Sequence, residues 1–347
     1  MAPSHPPRPS HFLIPLVLDS LSSPLDRATN LIREAVGLLL LPCGPRPDNL
    51  SVQIIVSCAE FAEYEHKPAM RWEEVQVLLG ALYMAATERA HEADCPLLNV
   101  DVLFEEWCGH DPWLIEDENV TVVGYHEDQT TLAVVNTKRG KDQLSHLHFI
   151  PIEEEESPSA SADTGASAEP STTTGTLSSA TRPLAYDNVA MGGTFDHLHA
   201  GHKILLTAAA WLTGKRLICG VMELDSSRLE RKKGAKYMEP LDTRIQTVKK
   251  FLNLIRRDKL QYDVVPISDE YGPTRSEANI QAIVGSLETK KGCEAVNTLR
   301  ANNKLPPLDV FTIHVLSPSA TNVTDMELKI SSSAIRHYLE SRDAVAE

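Results

Sequence analysis

Three histidines, an aspartate and three glycines are concentrated in MGGTFDHLHAGHKILL, residues 191–206. An apolar run precedes these polar residues and apolar residues at helical spacing follow them, so they fall where a strand ends and a helix begins. His199 and His202 are three residues apart, and if this turn is helical both imidazoles project from one side. Imidazoles beside the free amides and the positive dipole end of a helix favour binding of an anion such as phosphate.

The residues around the two imidazoles fit the same chemistry. Gly193 lets the backbone pass close to a ligand because it carries no side chain. Asp196 has two open interpretations, since it can orient a ligand or pin the loop by accepting hydrogen bonds from backbone amides. His197 is interpreted as a capping or packing residue rather than as a group that takes part in the reaction.

A second polar stretch, KISSSAIR, covers residues 329–336. Ser331 and Ser332 precede a helical pattern and are typical capping residues. The amides of that helix, together with Arg336, can hold a triphosphate. Plain capping is the alternative. Arg300 also has two open interpretations, a phosphate contact and a structural role on its own helix.

Strands and helices alternate cleanly in the carboxyl-terminal part of the chain. The apolar runs NVAMGG, RLICGVM, QYDVVPI, IQAIVGS and DVFTIHVL predict five strands, with helical patterns between them. This alternation is typical of right-handed β-α-β units and predicts a Rossmann-like α/β domain with a five-stranded parallel sheet over residues 183–347. Ligands of such sheets bind at the carboxyl ends of the strands, which is where the two histidines fall.

Residues 1–152 also combine strand and helix patterns, but no chemical motif stands among them. FLIPLVL, SVQIIVSC, LLNVDVLF, NVTVVGY and TTLAVV are interpreted as strands, and residues 25–41 and 71–90 as helices. The prediction is a separate domain of α/β or α+β class, in which WCGHDPW (107–113) is a loop with structural tryptophans. Residues 153–182 are rich in Ser, Thr and Ala without an aromatic residue, which predicts a disordered acidic linker.

Composition excludes several classes of function. A formal net charge of −15 argues against general binding of nucleic acid or of an anionic membrane surface. Six cysteines without a CxxC pair indicate reduced thiols rather than disulfides or a metal site built by the protein. No run reaches the ~18 apolar residues that a membrane span needs. The sequence therefore predicts a cytoplasmic protein.

The motifs also carry a family resemblance. GGTFDHLHAGH resembles the signature of the HxGH nucleotidyltransferases, and KISSSAIR resembles their ISSTxIR motif, with Ser333 where threonine is common. YGPTRSEANIQAIVGSLETKKGCEAVNTLR (271–300) and KKGAKYMEPLDTR resemble segments of the eukaryotic and archaeal phosphopantetheine adenylyltransferases. The resemblance covers residues 187–343. Because no GxxxxGK[ST] kinase loop is present, the chain is similar to the monofunctional, fungal form.

The resemblance implies transfer of the adenylyl group of ATP to 4′-phosphopantetheine, giving dephospho-CoA and pyrophosphate in coenzyme A biosynthesis. It implies that His202 stabilises the transition state, that His199 assists at the triphosphate, and that Mg²⁺ accompanies ATP and pyrophosphate. For the acceptor phosphate it implies Thr194 and a lysine of the basic loop, RLERKKGAK (228–236), with Lys236 before Lys233. The residues implied to bind ATP are Gly193, Thr194, Phe195, His202, Ser286, Glu288, Ser331, Ser332 and Arg336.

Other functions stay open. Cytidylyltransferases share the HxGH pattern, but their RTxGxS-type motif is missing; nicotinamide-nucleotide adenylyltransferases usually have asparagine and proline after the phenylalanine. An inactive scaffold protein is the alternative from another class. The fungal resemblance also implies a complex of coenzyme A biosynthetic proteins with a separate dephospho-CoA kinase, and residues 1–150 and the linker are hypothesised to dock partners there.

Overall fold

The computed structural model describes residues 10–41, 50–117, 119–154, 183–224, 232–314 and 331–346. These residues form two five-stranded sheets, one in each half of the chain. Every strand pairs parallel to its neighbours. The predicted α/β class is confirmed, and parallel pairing decides against the α+β alternative for the amino-terminal half.

The amino-terminal sheet has the strand order β3-β2-β1-β4-β5. Its strands are β1 (His11–Val17), β2 (Ser51–Ser57), β3 (Asn99–Phe104), β4 (Val120–Tyr125) and β5 (His148–Ile152). The helices of this half are α1 (Asp26–Leu39), α2 (Glu60–Glu63), α3 (Trp72–Glu92) and α4 (Asp128–Lys141). The strands β1 to β4 are almost entirely buried along their length, as expected of parallel strands covered on both faces.

The prediction of a strand at TTLAVV is wrong, because these residues belong to α4. Thr130 and Val134 are β-branched and favour extended backbone in isolation. The segment, however, connects the parallel strands β4 and β5, and such a connection needs a crossover that is usually a helix. The strand β5, which the sequence did not predict, lies at the sheet edge, where Pro151 is tolerated.

The carboxyl-terminal sheet has the order β10-β9-β6-β7-β8, which confirms the predicted five parallel strands. The strands are β6 (Tyr186–Gly193), β7 (Thr213–Met222), β8 (Gln261–Ile267), β9 (Ala282–Ser286) and β10 (Asp309–Ile313). The helices are α5 (Ala200–Leu212), α6 (Leu241–Ile255), α7 (Lys290–Asn302) and α8 (Ser332–Ala346). The connection from β6 to α5 carries the histidines.

The two halves have the same topology. Numbered from the first strand of each half, both sheets run third, second, first, fourth, fifth. The place where the order reverses, between the first and fourth strands, is the crevice in which open α/β sheets bind ligands. It lies between β1 and β4 in the amino-terminal half and between β6 and β9 in the carboxyl-terminal half.

Matching side chains anchor the same turn in both halves. Asn136 exchanges two hydrogen bonds with the backbone of Leu147, its Oδ1 accepting at 2.8 Å and its Nδ2 donating at 3.1 Å. Asn297 makes the same exchange with Leu308, at 2.8 and 2.9 Å. In both pairs the two residues are eleven apart and the asparagine lies on the helix between the fourth and fifth strands of its half, so the turns are equivalent.

An arginine repeats in the same way. Arg139 Nε donates to Ser145 O at 2.8 Å, and the guanidinium also donates to Trp113 O. Arg300 Nε donates to Pro306 O at 2.7 Å, and the guanidinium also donates to Thr274 O. The segments that carry these anchors read VNTKR (135–139) and VNTLR (296–300). We conclude that the two halves are two copies of one fold.

The copies pack against each other through α3 and α5. Trp211 Nε1, on α5, donates to the carbonyl of Pro68, just before α3, at 3.0 Å. The guanidinium of Arg256 lies 4.5 Å from the ring centre of Trp107, and Arg257 N donates to Cys108 O at 2.8 Å. The structural interpretation of WCGHDPW is therefore confirmed, since this loop holds the end of α6.

The linker predicted over residues 153–182 lies almost entirely outside the described residues, which end at 154 and resume at 183. The predicted division at 152 and 183 stays a prediction. Of the helices that the structure describes, none has the length and apolar character required to cross a membrane.

Candidate active site

His199 and His202 stand at the junction of β6 and α5, as the spacing predicts. His199 directly precedes the helix with extended backbone, and its carbonyl accepts the amide of Lys203 at 3.0 Å. His202 lies in the first turn. The two rings stack with centroids 3.9 Å apart and planes inclined by 26°. The prediction that both imidazoles project from one side is confirmed.

The two imidazoles are held neutral. Burial lowers the pKa of His202 to about 4. The pKa of His199 lies well below its usual value, first because of burial and second because of the neighbouring His202. Within the described part of the chain, Nδ1 of each ring is buried and has no hydrogen-bond partner. Buried polar atoms are normally paired, so these two nitrogens indicate a place for a polar ligand atom.

Asp196 pins the loop before the histidines. Its side chain is fully buried, with Oδ1 accepting the amide of Glu239 at 2.9 Å and Oδ2 accepting Arg336 Nη1 at 2.5 Å. Its carbonyl accepts Ser332 Oγ at 2.7 Å. Of the two interpretations open from the sequence, these contacts support loop pinning, because both carboxylate oxygens are engaged by the protein.

The serine motif meets the histidine loop at the start of α8. Ser331 precedes this helix, and its Oγ accepts the amide of Ala334 at 3.2 Å, so the predicted cap is confirmed for Ser331. Ser332 is the first helical residue and bonds to the carbonyl of Asp196. The free amides of α8 therefore begin beside the histidine loop, although the two motifs are about 130 residues apart in sequence.

Arg336 is a buried residue that joins three segments. Besides Asp196, it donates from Nε to Lys233 O at 2.8 Å and from Nη2 to Ser333 Oγ at 3.0 Å. A guanidinium bonded in this way holds the loop before the histidines, the segment of Lys233 and the start of α8 together. Direct contact of Arg336 with ATP stays a prediction.

The basic loop is tied to the same place. The ring of His197 shares a 2.7 Å hydrogen bond with Tyr237 O, and its amide donates to Glu239 Oε2 at 2.6 Å. These contacts confirm His197 as a packing residue. Lys233 and Lys236 are exposed, and Lys236 Nζ lies 5.3 Å from the ring centre of Tyr237. Both lysines are therefore close to the histidine loop and free to reach a phosphate.

Gly193, Thr194 and Phe195 form the turn out of β6. Phe195 is fully buried with φ of 50°, and its ring centroid lies 5.3 Å from that of His202. A Cβ on Gly193 would come within 3.1 Å of the Phe195 ring, so a side chain there would displace it. Thr194 O accepts Arg244 Nη1 at 2.6 Å. The turn is therefore held from below by a buried arginine.

Ser286 is the last residue of β9, the strand beside β6, and Glu288 follows that strand. Thr289 Oγ1 accepts the amide of Ser286 at 2.9 Å, while the side chain of Glu288 is exposed at the same edge as the histidines. Arg300 lies elsewhere. It is fully buried and donates to backbone carbonyls, which supports its structural interpretation.

Two residues of the site's support were missed by the sequence reasoning. Glu239 accepts the amide of His197, and Arg244 donates to the carbonyls of Thr194, Met222 and Glu239. The segment EPLDTR, which contains both, carried a family resemblance but no chemical signal of its own. Among the described residues, no group of three or more His, Cys, Asp or Glu side chains is arranged to hold a metal ion.

Comparison with known proteins agrees with this geometry. Residues 190–338 match the family model described as cytidylyltransferase-like. An uncharacterized protein of Schizosaccharomyces pombe is 32% identical over 297 residues, which is 82% of this chain and 85% of that protein. Its match extends beyond the family model, into the amino-terminal half.

Several curated relatives carry an enzyme name. The phosphopantetheine adenylyltransferase of Saccharomyces cerevisiae is 40% identical over 152 residues, covering 44% of this chain and 48% of that protein. The phosphopantetheine adenylyltransferase of Methanopyrus kandleri is 36% identical over 149 residues, covering 42% of this chain and 92% of that protein.

Proposed function

Since the chain belongs to the cytidylyltransferase-like nucleotidyltransferases, together with the phosphopantetheine adenylyltransferases that it resembles, we propose that it adenylylates 4′-phosphopantetheine. The products are dephospho-CoA and pyrophosphate. The observation that carries the proposal is the stacked pair of neutral imidazoles, each with a buried and unpaired Nδ1, at the first turn of α5. The start of α8 lies on the other side of the same loop.

In the proposed reaction an oxygen of the acceptor phosphate attacks the α-phosphorus of ATP. The bond from that phosphorus to the bridging oxygen of pyrophosphate breaks, and the electron pair leaves with pyrophosphate. The attacking oxygen is already anionic, so no strong base is needed. Catalysis then consists of positioning and of stabilising charge on the α-phosphate.

His202 and His199 take the leading parts in this proposal. A neutral imidazole donates one N–H, and a donor already positioned at the phosphate stabilises the charge that develops there in the transition state. We assign His202 to the α-phosphate and His199 to the neighbouring phosphates. A bound triphosphate also raises the pKa of both rings, because it favours the imidazolium form.

The remaining ATP contacts follow from position in the fold. Ser331, Ser332 and the first amides of α8 face the triphosphate, supported from beneath by Arg336. Gly193 and Phe195 hold the backbone of the β6 turn against the nucleotide, and Ser286 and Glu288 lie at the neighbouring strand end. Mg²⁺ enters with the triphosphate, whose oxygens are the ligands it prefers.

The acceptor is proposed to bind through its phosphate. Lys236 and Lys233 are exposed cations on a loop that His197 and Arg336 tie to the site. Thr194 stands at the turn between that loop and the histidines. Lys236 is the first choice because its segment, residues 235–237, contacts His197 directly.

We further propose that the protein works in the cytoplasm and hands dephospho-CoA to a separate kinase within a complex of coenzyme A biosynthetic proteins. The five cysteines that the structure describes form no disulfide with one another, which suits a reducing compartment. The complex rests on the fungal resemblance, and a pull-down with the full chain and with residues 183–347 compares the two halves as docking surfaces.

Pyrophosphate release by the purified full chain with Mg²⁺ tests the proposed function. ATP and CTP are each offered against 4′-phosphopantetheine, nicotinamide mononucleotide and phosphocholine, with His202→Ala in parallel. We expect turnover with ATP and phosphopantetheine alone, lost in the variant. Turnover with another pair would replace the substrate and keep the reaction class. No turnover with any pair would favour an inactive scaffold protein.

A further inference from the structure

Lys203 follows His202 directly, and its ammonium reaches into the amino-terminal half. Its Nζ donates to Asn99 Oδ1, to Val100 O and to Asp101 Oδ1, each at 2.7 Å. Lys203 is 4% exposed and Asp101 8% exposed. An ammonium has three donors, and here every one is taken by the first three residues of β3.

A buried ammonium that is fully bonded fixes its neighbours firmly. Removing one partner of such a pair is costly, because the other charge stays buried and unpaired. Asn99 Nδ2 also donates to Asp101 Oδ2 at 2.9 Å, so the acceptors are themselves held in place. The contact clamps the first turn of α5, the turn that carries His202 and begins at His199.

At the equivalent crevice, the described residues of the amino-terminal copy do not repeat the histidine pair. Leu25 precedes α1 where His199 precedes α5, and Ala28 is the third helical residue where His202 stands. Arg27, beside them, is bonded to Glu127 and Glu154 at the mouth of the crevice. Carboxylates there repel a triphosphate, so this copy is explained by something other than nucleotide binding.

We propose that the amino-terminal half is a silent copy of the nucleotidyltransferase fold that positions the catalytic histidines, with Asp101 as the positioning residue acting through Lys203. A cavity of about 240 Å³ beside the clamp agrees with this assignment, because residues of both halves line it, among them Val100, Leu98 and His199. A shift of the amino-terminal half changes the space next to His199.

The test by kcat rests on the proposed function, because it measures release of pyrophosphate. Asp101→Asn neutralises the clamp with nearly the same shape, and Lys203→Met removes the ammonium. We expect kcat for pyrophosphate release to fall about tenfold in each, with KM for ATP unchanged within twofold. The double variant should be no slower than Lys203→Met, because both residues act through one contact.

The matched control is Asp187→Asn, which breaks the exposed pair with Lys215 on the surface of the catalytic half and should leave kcat unchanged. If the single variants do not fold, Asp101→Leu with Lys203→Met replaces the buried pair by apolar residues of similar volume and keeps the fold. The same tenfold loss of kcat is expected there.

Two further readouts separate positioning from simple loss of stability. In a His202→Ala background, Asp101→Asn should have no further effect on the remaining activity. Deuterium exchange at the amides of residues 203–206 should speed up at least fivefold in Asp101→Asn, and not in Asp187→Asn. Unchanged kcat and exchange, or an undiminished loss in the His202→Ala background, would overturn the inference. If the wild type is inactive with every substrate pair, the proposed function fails. The exchange experiment alone then tests whether the contact between Lys203 and Asp101 orders the first turn of α5.

Discussion

The two crevices of this molecule share a backbone plan and differ in chemistry. Between β6 and β9, the stacked imidazoles of His199 and His202 keep unpaired nitrogens. Between β1 and β4, Arg27 is bonded to Glu127 and Glu154, and its guanidinium lies 4.3 Å from the ring centre of Tyr125. The crevice between β6 and β9 has unpaired polar atoms that a ligand can bind. In the crevice between β1 and β4, the polar atoms of Arg27 are bonded to other residues of the protein.

The residues that fix the fold repeat in the two copies, and the residues that carry the chemistry do not. The anchors that repeat, an asparagine and an arginine on the helix after the fourth strand, bond only to backbone carbonyls and amides. They fix the fold in both copies. The loop from the first strand to its helix does not repeat, and it alone carries the histidines.

The largest expected effect is a loss of stability when the arginine that repeats in the two copies is removed. Arg139→Ala and Arg300→Ala each leave several buried carbonyls without donors, so each should lower the free energy of unfolding by at least about 3 kcal/mol. Urea unfolding measures both. KM for ATP should stay within twofold in Arg300→Ala, whereas a large rise would favour the phosphate contact. Arg275→Ala, which removes an exposed pair with Asp269, is the control and should cost about 0.5 kcal/mol or less.

The next effect concerns His202, which has no counterpart in the amino-terminal copy. His202→Ala should lower kcat by about 10²–10³-fold, the usual cost of losing one donor to a developing oxyanion. Steady-state pyrophosphate release measures it, and the melting temperature should not fall. His337→Ala, which removes an exposed histidine of α8, should leave kcat unchanged. Full activity of His202→Ala would remove this residue from the reaction.

Acid should reveal the lowered pKa of the His202 imidazole. The folded pKa of His202, about 4, lies below the usual 6.5, so between pH 6.5 and 4 the unfolded chain binds more protons than the folded chain. Stability is therefore retained above pH 6.5 and falls as the pH drops toward 4. Wild type should lose about 1–3 kcal/mol more than His202→Gln over this window, measured by urea unfolding at each pH. Parallel curves would contradict a buried neutral ring.

The smallest effect concerns the acceptor. Lys236→Ala should raise KM for 4′-phosphopantetheine about tenfold and leave KM for ATP unchanged, because one charge-assisted contact to phosphate is worth about 1.5 kcal/mol. Lys233→Ala should have a smaller effect. Lys215→Ala, at the opposite end of β7, is the control. A larger rise in KM for 4′-phosphopantetheine in Lys233→Ala than in Lys236→Ala would make Lys233 the main contact of the acceptor phosphate.

Much of the catalytic half could be predicted from sequence. Its strands are short apolar runs separated by clear helices, and His199 and His202 show helical spacing after a strand. The sequence left the role of Asp196 open between orienting a ligand and pinning the loop, because its partners Glu239 and Arg336 come from distant segments. Contacts of this kind depend on the packing of three elements, which no local pattern records.

The amino-terminal half was harder to predict for two reasons. Helix α4 is mostly exposed, with Leu132 and Arg139 as its buried residues, so its helical pattern is weak and its β-branched residues favour a strand. The repeat was missed, although VNTKR and VNTLR differ at one position and both precede a leucine-containing turn. Comparing these pentapeptides would have indicated the second copy.

A count of nucleotide sites tests the contrast between the crevices most directly. Titration calorimetry of the full chain with Mg²⁺ and ATP, without acceptor, should give one site per chain. That site should weaken at least tenfold in His202→Ala and stay unchanged in Arg27→Ala. Two sites per chain, or a single site that survives His202→Ala and is lost in Arg27→Ala, would contradict a silent amino-terminal copy and a nucleotide site at the histidines.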